Sequence, residues 1–174
     1  MLLGRLDPEQ HAGIELEAVD LCEVARDLRT AMADMALARN VNIELDAPDA
    51  PVTEKVQTEL LAEAIANLVD NALKASSTCG VVRLEVTRNP PALSVSDDGP
   101  GIRDSQREAV FEHFVRGESA SWPGSGLGLS IVRDIAQQHR AHISISDPVD
   151  ARVTRITLEF EFEFEFEFES VRSA

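Results

Sequence analysis

The chain has 174 residues, of which 44% are hydrophobic and 27% charged, an ordinary balance for one compact domain around one core. Its 31 acidic against 16 basic side chains give a formal charge of -15, which repels phosphate backbones and anionic headgroups and argues against direct nucleic-acid binding. No stretch approaches the ~18 apolar residues of a membrane span, Met1-Leu2-Leu3 is too short a run for a secretory signal, and Cys22 and Cys79 lack disulfide or Cys/His ligand spacing, as in a reducing cytoplasm.

Asp20 is placed to cap a helix over residues 21–38, where Val24, Leu28, Met32, Met35 and Ala36 recur at helical spacing and should face a sheet. Residues 41–45 alternate apolar and polar, predicting a half-buried strand closed by Asp46, Pro48 and Pro51. A second helix is predicted over residues 58–75, with Leu61, Ile65, Leu68 and Ala72 on one side. Asn67, Asn71 and Lys74 fall within ~60° of one another on the other, at ~100° per residue. Two alternating runs, 81–87 and 92–96, flank Asn89-Pro90-Pro91 and read as an antiparallel pair. A short helix over 105–114, a loop, a helix over 127–139 with Ile131, Ile135 and Ala136 inward, and strands at 142–146 and 152–160 complete the pattern. The predicted fold class is α+β, a two-layer α/β sandwich.

Three segments carry chemistry. Asn67, Asn71 and Lys74 form a polar row along one helix: an Asn71 amide oxygen suits Mg²⁺, Asn67 can donate to a phosphate, and Lys74 offsets its charge. Ser96-Asp97-Asp98-Gly99-Pro100-Gly101-Ile102 sets an acceptor-only carboxylate at a strand end, where Asp97 can accept from an adenine amino group. Gly99 and Gly101 then permit close backbone approach. Gly124-Ser125-Gly126-Leu127-Gly128-Leu129 opens a helix whose backbone N–H groups can receive an anionic phosphate chain. It is neither a P-loop nor a dinucleotide fingerprint. Taken singly, these segments are also compatible with a solvated helix face, a surface turn and a glycine hinge.

Together with Phe111-Glu112-His113-Phe114-Val115-Arg116, and in this order, they resemble the asparagine, first glycine, phenylalanine and second glycine boxes of sensor histidine kinases. The resemblance covers residues 14–160 and implies an ATP-binding catalytic domain with a mostly antiparallel mixed sheet and helices on one face. It further implies that Asp97 contacts adenine, Gly99, Gly101 and Ile102 shape the floor, and Asn71 holds Mg²⁺. Asn67, Lys74 and Arg116 would address the phosphates as the catalytic set, and residues 117–124, with Trp122, would form a lid.

Related ATPases and serine kinases of the superfamily place a glutamate one turn before the metal-binding asparagine. Here that position is Asn67, and Glu63 lies ~12 Å from Asn71 along the helix axis at ~1.5 Å per residue. Transfer to a histidine, which already carries a nucleophilic lone pair, suits such a site. A free-standing serine kinase or ATPase, and a nucleotide-dependent binding module, are the alternatives. None of His11, His113, His139 or His142 has the neighbours of the family's acceptor histidine. The acceptor is expected on a separate dimerisation domain, with a response regulator as the later recipient and a membrane-anchored parent protein whose catalytic domain is cytoplasmic. Residues 1–13 read as the end of that dimerisation helix plus a linker, leading to a first strand at 13–17. His139-Arg140-Ala141 replaces the more usual His-Gly-Gly, and Ala75 and Ser76 stand where a tyrosine commonly follows the lysine.

The segment 161–174 continues a strict Phe/Glu alternation begun at Phe160. Its period of two is β-prone, with rings on one side and carboxylates on the other. It is expected to be either an unpaired tail kept soluble by its charge or an edge that pairs between chains and self-associates.

Overall fold

Hydrophobic alternation sets the sheet. In β4 (Val81–Arg88), Val82, Leu84 and Val86 are buried, while Arg83, Glu85 and Thr87 face the other way. β5 (Pro91–Asp97) lies at the centre and is buried along its whole length. β7 (Thr154–Phe160) alternates again, with Ile156, Leu158 and Phe160 in the core. These strands join β2 (Asn42–Asp46) and β6 (Ala141–Ser146) in a five-stranded sheet of order β2-β4-β5-β7-β6. Only the β2–β4 pair is parallel. The computed structural model describes residues 15–112, 127–146 and 154–161.

Helices cover one face of this sheet, as the sequence predicts. α1 (Leu21–Ala31) packs on β2 and β4, α3 (Thr58–Ala75) on β4 and β5, and α4 (Gly128–Gln138) on β6 and against α3. Leu61, Ile65, Leu68 and Ala72 of α3 are all buried. The opposite sheet face is polar and is laced by cross-strand ion pairs, Arg83 to Glu44 at 3.0 Å and Arg155 to Glu85 at 2.8 Å. The architecture is therefore an α+β two-layer sandwich.

Several local expectations are corrected. The single helix expected over 21–38 is two helices, α1 and α2 (Ala33–Ala38), parted at Met32. Thr30 Oγ1 donates back to the Arg26 carbonyl at 3.0 Å, a bond that bends helices, and Met32, at φ -93° and ψ -1°, is both the C-cap of α1 and the N-cap of α2. Met35 consequently points outward, 37% exposed, while Ala36 reaches the core. The first strand is β1 (Glu17–Asp20), later than expected, and it pairs antiparallel with β3 (Thr53–Val56), which the sequence reading did not foresee. Asp20 does cap α1, accepting from the Cys22 N–H at 3.0 Å, and the same oxygen accepts from the Val52 N–H at 3.0 Å. In place of the helix over 105–114 stand two 3-10 turns, Asp104–Gln106 and Ala109–Phe111, the second burying Val110 and Phe111. In α4 the buried residues are Ser130, Val132, Ile135 and Ala136, with Ile131 only partly buried.

His139 joins the two site-bearing helices. It is buried, its Nε2 accepts the Gln57 N–H at 3.0 Å, and its Nδ1 lies 2.7 Å from the Ile135 carbonyl. That pattern fits the neutral ring with the proton on Nδ1. Gln57 in turn caps α3 by accepting from the Leu60 N–H at 2.6 Å, so the end of α4 is fixed to the start of α3.

Candidate functional site

The other end of α4 meets α3 again at the predicted site. Gly128, the first residue of α4, lies against the middle of α3: a Cβ built on it would stand 3.3 Å from Asn71 Nδ2 and 3.4 Å from Asn67 Oδ1. The polar row on α3 and the second glycine segment, ~60 residues apart in sequence, are thus in contact. Ser130 fixes the helix start by donating to the Leu127 carbonyl at 2.8 Å. Leu129, next to Gly128, is half-buried against the core.

On α3, Asn67 Nδ2 donates to the Glu63 carbonyl of its own helix at 2.9 Å, which orients its amide oxygen outward toward Gly128. Lys74 forms an ion pair with Asp70 one turn earlier, both side chains half-buried. The lysine is therefore held in place along α3 by a partner that the sequence reading did not single out.

Asp97 closes β5 at 8% exposure, and its Oδ1 accepts from the Gly99 N–H at 2.8 Å. Burial pushes this carboxyl from 3.8 up to about 6, the Gly99 N–H opposes the rise, and the neighbouring Asp98 charge adds to it. A carboxylate offers more acceptor positions than the one Gly99 uses. Gly99 backs onto the end of α3, where a Cβ would meet the Ala75 carbonyl oxygen at 2.7 Å and Asp97 Oδ1 at 2.6 Å. Gly101 has φ +81°, the left-handed region where a side chain is strained, and Ile102 packs against the core beside it. The tight path of the first glycine segment therefore depends on both glycines.

The structure thus brings Asn67, Asn71 and Gly128 into one cluster, and seats Asp97 and Gly99 against the far end of α3. Arg116, Gly124, Ser125 and Gly126 lie outside the described residues, as do His113, Trp122 and the expected lid. The sequence reading missed Asp70, Ser77 and Gly80. Asp70 sits at i,i+4 to Lys74 and was legible by that spacing, whereas Ser77 and Gly80 meet the site only through the loop after α3.

The site thus sets a buried carboxylate at a strand end and, elsewhere along α3, two amides beside a glycine helix start, within an α/β sandwich. Residues 56–164 match the histidine kinase-, DNA gyrase B- and HSP90-like ATPase family, and the chain belongs to that family. It is similar to the sensor histidine kinase TmoS of Ectopseudomonas mendocina, 32% identical over 152 residues, covering 83% of this chain and 15% of that protein. It is also similar to the signal transduction histidine-protein kinase/phosphatase MprB of Mycobacterium sp. (strain KMS), 36% identical over 149 residues, covering 83% of this chain and 28% of that protein. The chain therefore spans well under half of these relatives. Among solved structures, the mycobacterial sensor histidine kinase MprB superposes with a TM-score of 0.70 at 31% identity, covering 82% of this chain and 95% of that one. Full-length ShkA in complex with AMPPNP shares the fold, with a TM-score of 0.75 at 23% identity over 86% of this chain and 32% of that one. The chain is a histidine kinase-type ATPase domain of the kind found in sensor kinases.

Proposed function

We propose that this domain binds ATP with Mg²⁺ and donates the γ-phosphate to a histidine on a dimerisation domain of its parent protein, from which a response-regulator aspartate takes it. The observation that carries this reading is the convergence of Asn67 and Asn71 on Gly128, which sets two amides beside a helix start. In this reading Asp97 accepts from the adenine amino group, Gly99, Gly101 and Ile102 form the floor, and Asn67, Lys74 and Arg116 hold phosphate oxygens. Gly124, Ser125, Gly126, Leu127, Gly128 and Leu129 would follow the phosphate chain with their backbone.

The residues present fit a magnesium ion shared with the nucleotide, because Asn71 is half-buried at the cluster and carries a neutral amide oxygen. Such an ion, when bound, neutralises charge on the phosphates. Asn67 stands where a general-base glutamate would sit, so the site orients phosphate without activating water, and a histidine acceptor supplies its own lone pair. The similarity to TmoS and MprB, both histidine kinases, supports the same assignment. Residues 1–13 belong, in this reading, to the junction with the dimerisation domain. The parent protein is membrane-anchored with this domain in the cytoplasm, and residues 161–174 form an appended segment. No described helix is long and apolar enough to cross a membrane itself.

Incubation of the chain with Mg-ATP, with and without a dimerisation-domain fragment bearing its histidine, tests the function. Acid-labile phosphate on the fragment, and none on the chain alone, is the expected result. Acid-stable phosphoserine on any protein substrate, or rapid ATP hydrolysis without transfer, would overturn it in favour of the serine kinase or ATPase branch.

A further inference from the structure

Beyond the charge it sets beside Asp97, Asp98 has no role in the site as described, yet it is placed with unusual constraint. Asp97 follows Leu93 and Val95 into the buried layer, whereas Asp98 reaches into the loop after α3. There Ser77 Oγ donates to Asp98 Oδ2 at 2.9 Å, while Oδ1 is buried with no hydrogen-bond donor among the described residues. The seat exists because residue 80 is glycine: a Cβ there would lie 2.5 and 2.7 Å from the two Asp98 oxygens and 2.7 Å from the Ser77 carbonyl oxygen. The loop itself is tied down. The Gly80 N–H donates to the Ser77 carbonyl at 2.9 Å, the Cys79 N–H to the Asn40 carbonyl at 2.8 Å, and the Asn42 N–H to the Gly80 carbonyl at 3.0 Å.

Ser77 follows Lys74 by three residues and Asn71 by six, so a bond from Asp98 to Ser77 joins the strand end that carries Asp97 to the helix that carries the polar row. Next to Asp98 in the chain, Gly99 rests against Ala75, the last residue of α3. The end of α3 and the loop after it are thus held to this strand end by two contacts. A ligand that spans two elements gains full affinity from both ends only if their separation is already set when it arrives. A buried acceptor without a donor is a cost that folded proteins seldom carry without a reason.

We propose that Asp98, seated over Gly80 and held by Ser77, is a positioning residue that fixes the separation between the adenine acceptor on β5 and the phosphate-facing side of α3. This rests on the nucleotide reading above and adds to it a residue that acts through Ser77 and touches no ligand. Its signature is a change in how much affinity the phosphates add, separate from any change in affinity for the nucleoside.

Competition titrations against a fluorescent nucleotide, with adenosine, ADP and Mg-ATP on the full chain, read that quantity. In Asp98→Ala and in Ser77→Ala, affinity for ADP and Mg-ATP falls about ten-fold, the effect of losing one hydrogen bond to a charged group, while affinity for adenosine falls less than about two-fold. Asp98→Asn keeps an acceptor for Ser77 and restores the wild-type ratio. Because Ser77 is exposed, its variant keeps the test open even if Asp98→Ala fails to fold. Equal losses for all three ligands, or no loss in the Ser77 variant, overturn the positioning role. Absence of Mg-ATP binding by the unmutated chain overturns the nucleotide reading and this inference with it.

Discussion

With the proposed adenine contact, Asp97 would set function against stability within one side chain. Its carboxyl is raised from 3.8 to about 6, chiefly by burial, so the folded chain holds the proton more tightly than the unfolded one. The stability that this proton contributes is fully present below about pH 4 and is lost as pH rises through about 6. At pH 8 the rise corresponds to roughly 3 kcal/mol of unfavourable charge burial. Asp97→Asn is therefore expected to raise the stability of the nucleotide-free chain at pH 8 by about 1–3 kcal/mol, measured by urea unfolding, with little gain at pH 4. On the proposed adenine contact, the same substitution is expected to weaken Mg-ATP binding, because an adenine amino group needs an acceptor and the amide offers a weaker one. In the unmutated chain, affinity should fall by up to about ten-fold for each pH unit below about 6 as the carboxylate takes up its proton. A flat affinity profile from pH 7 to pH 5 would remove Asp97 from the adenine contact. Asn71→Ala behaves differently. Phosphotransfer falls by about 100-fold or more while nucleotide affinity changes little, since a metal organises the phosphates for reaction more than it recognises the base. Quench-flow transfer assays with a dimerisation-domain acceptor separate the two effects.

At the scale of elements, what the sequence revealed follows the range of the forces involved. α3 was legible to the residue because its apolar stripe is a local signal, and β4 and β7 because they alternate against a core; β5 alternates apolar and polar in sequence although it is buried throughout. β3 was not legible: Thr53-Glu54-Lys55-Val56 buries only Val56, and it is a strand because it pairs with β1, more than thirty residues away. The break at Met32 and the two 3-10 turns are local backbone features that hydrophobic periodicity does not register. The site divides the same way. Its glycine and asparagine segments declare themselves by composition, whereas the Ser77–Asp98 bond joins side chains 21 residues apart and appears only once α3 and β5 are packed. The departure at His139-Arg140-Ala141 also gains a physical meaning. Arg140 follows the C-cap of α4 and adopts φ +52°, the left-handed conformation that ends many helices and that glycine adopts without strain. Arg140→Gly relieves that strain at an exposed position and is expected to stabilise the chain by about 0.5–1 kcal/mol, or ~1–4 °C in Tm, with nucleotide affinity unchanged. A lower Tm would mean that the arginine makes contacts outweighing its backbone strain.

At the scale of the whole molecule, the charge of -15 keeps chains apart, and the Phe/Glu segment sets that repulsion against an apolar alternation. The described part of β7 ends at Phe160, which is buried and aligned with Ala141 of β6, and Glu161 beyond it is exposed and outside the strand. Phe160 therefore belongs to the core, and the alternation available for anything else begins at Phe162. If the remaining segment pairs between chains, its phenylalanines meet on one side and its glutamates crowd on the other. Ionised glutamates at strand spacing repel, and protonation toward pH 4–5 removes that repulsion together with much of the net charge. Light scattering at constant ionic strength should then show self-association rising between pH 6 and pH 4, and raising salt at pH 7 should imitate part of the effect by screening. Deleting residues 162–174 is the informative truncation, since it leaves Phe160 in place and spares β7. The truncated chain should stay monomeric down to pH 4 with its unfolding midpoint at pH 7 unchanged. Truncation before Phe160 would instead cost about 3–5 kcal/mol of core burial and confuse the two effects. A full-length chain that remains monomeric at every pH would end the pairing reading and leave the segment as a charged, unpaired tail.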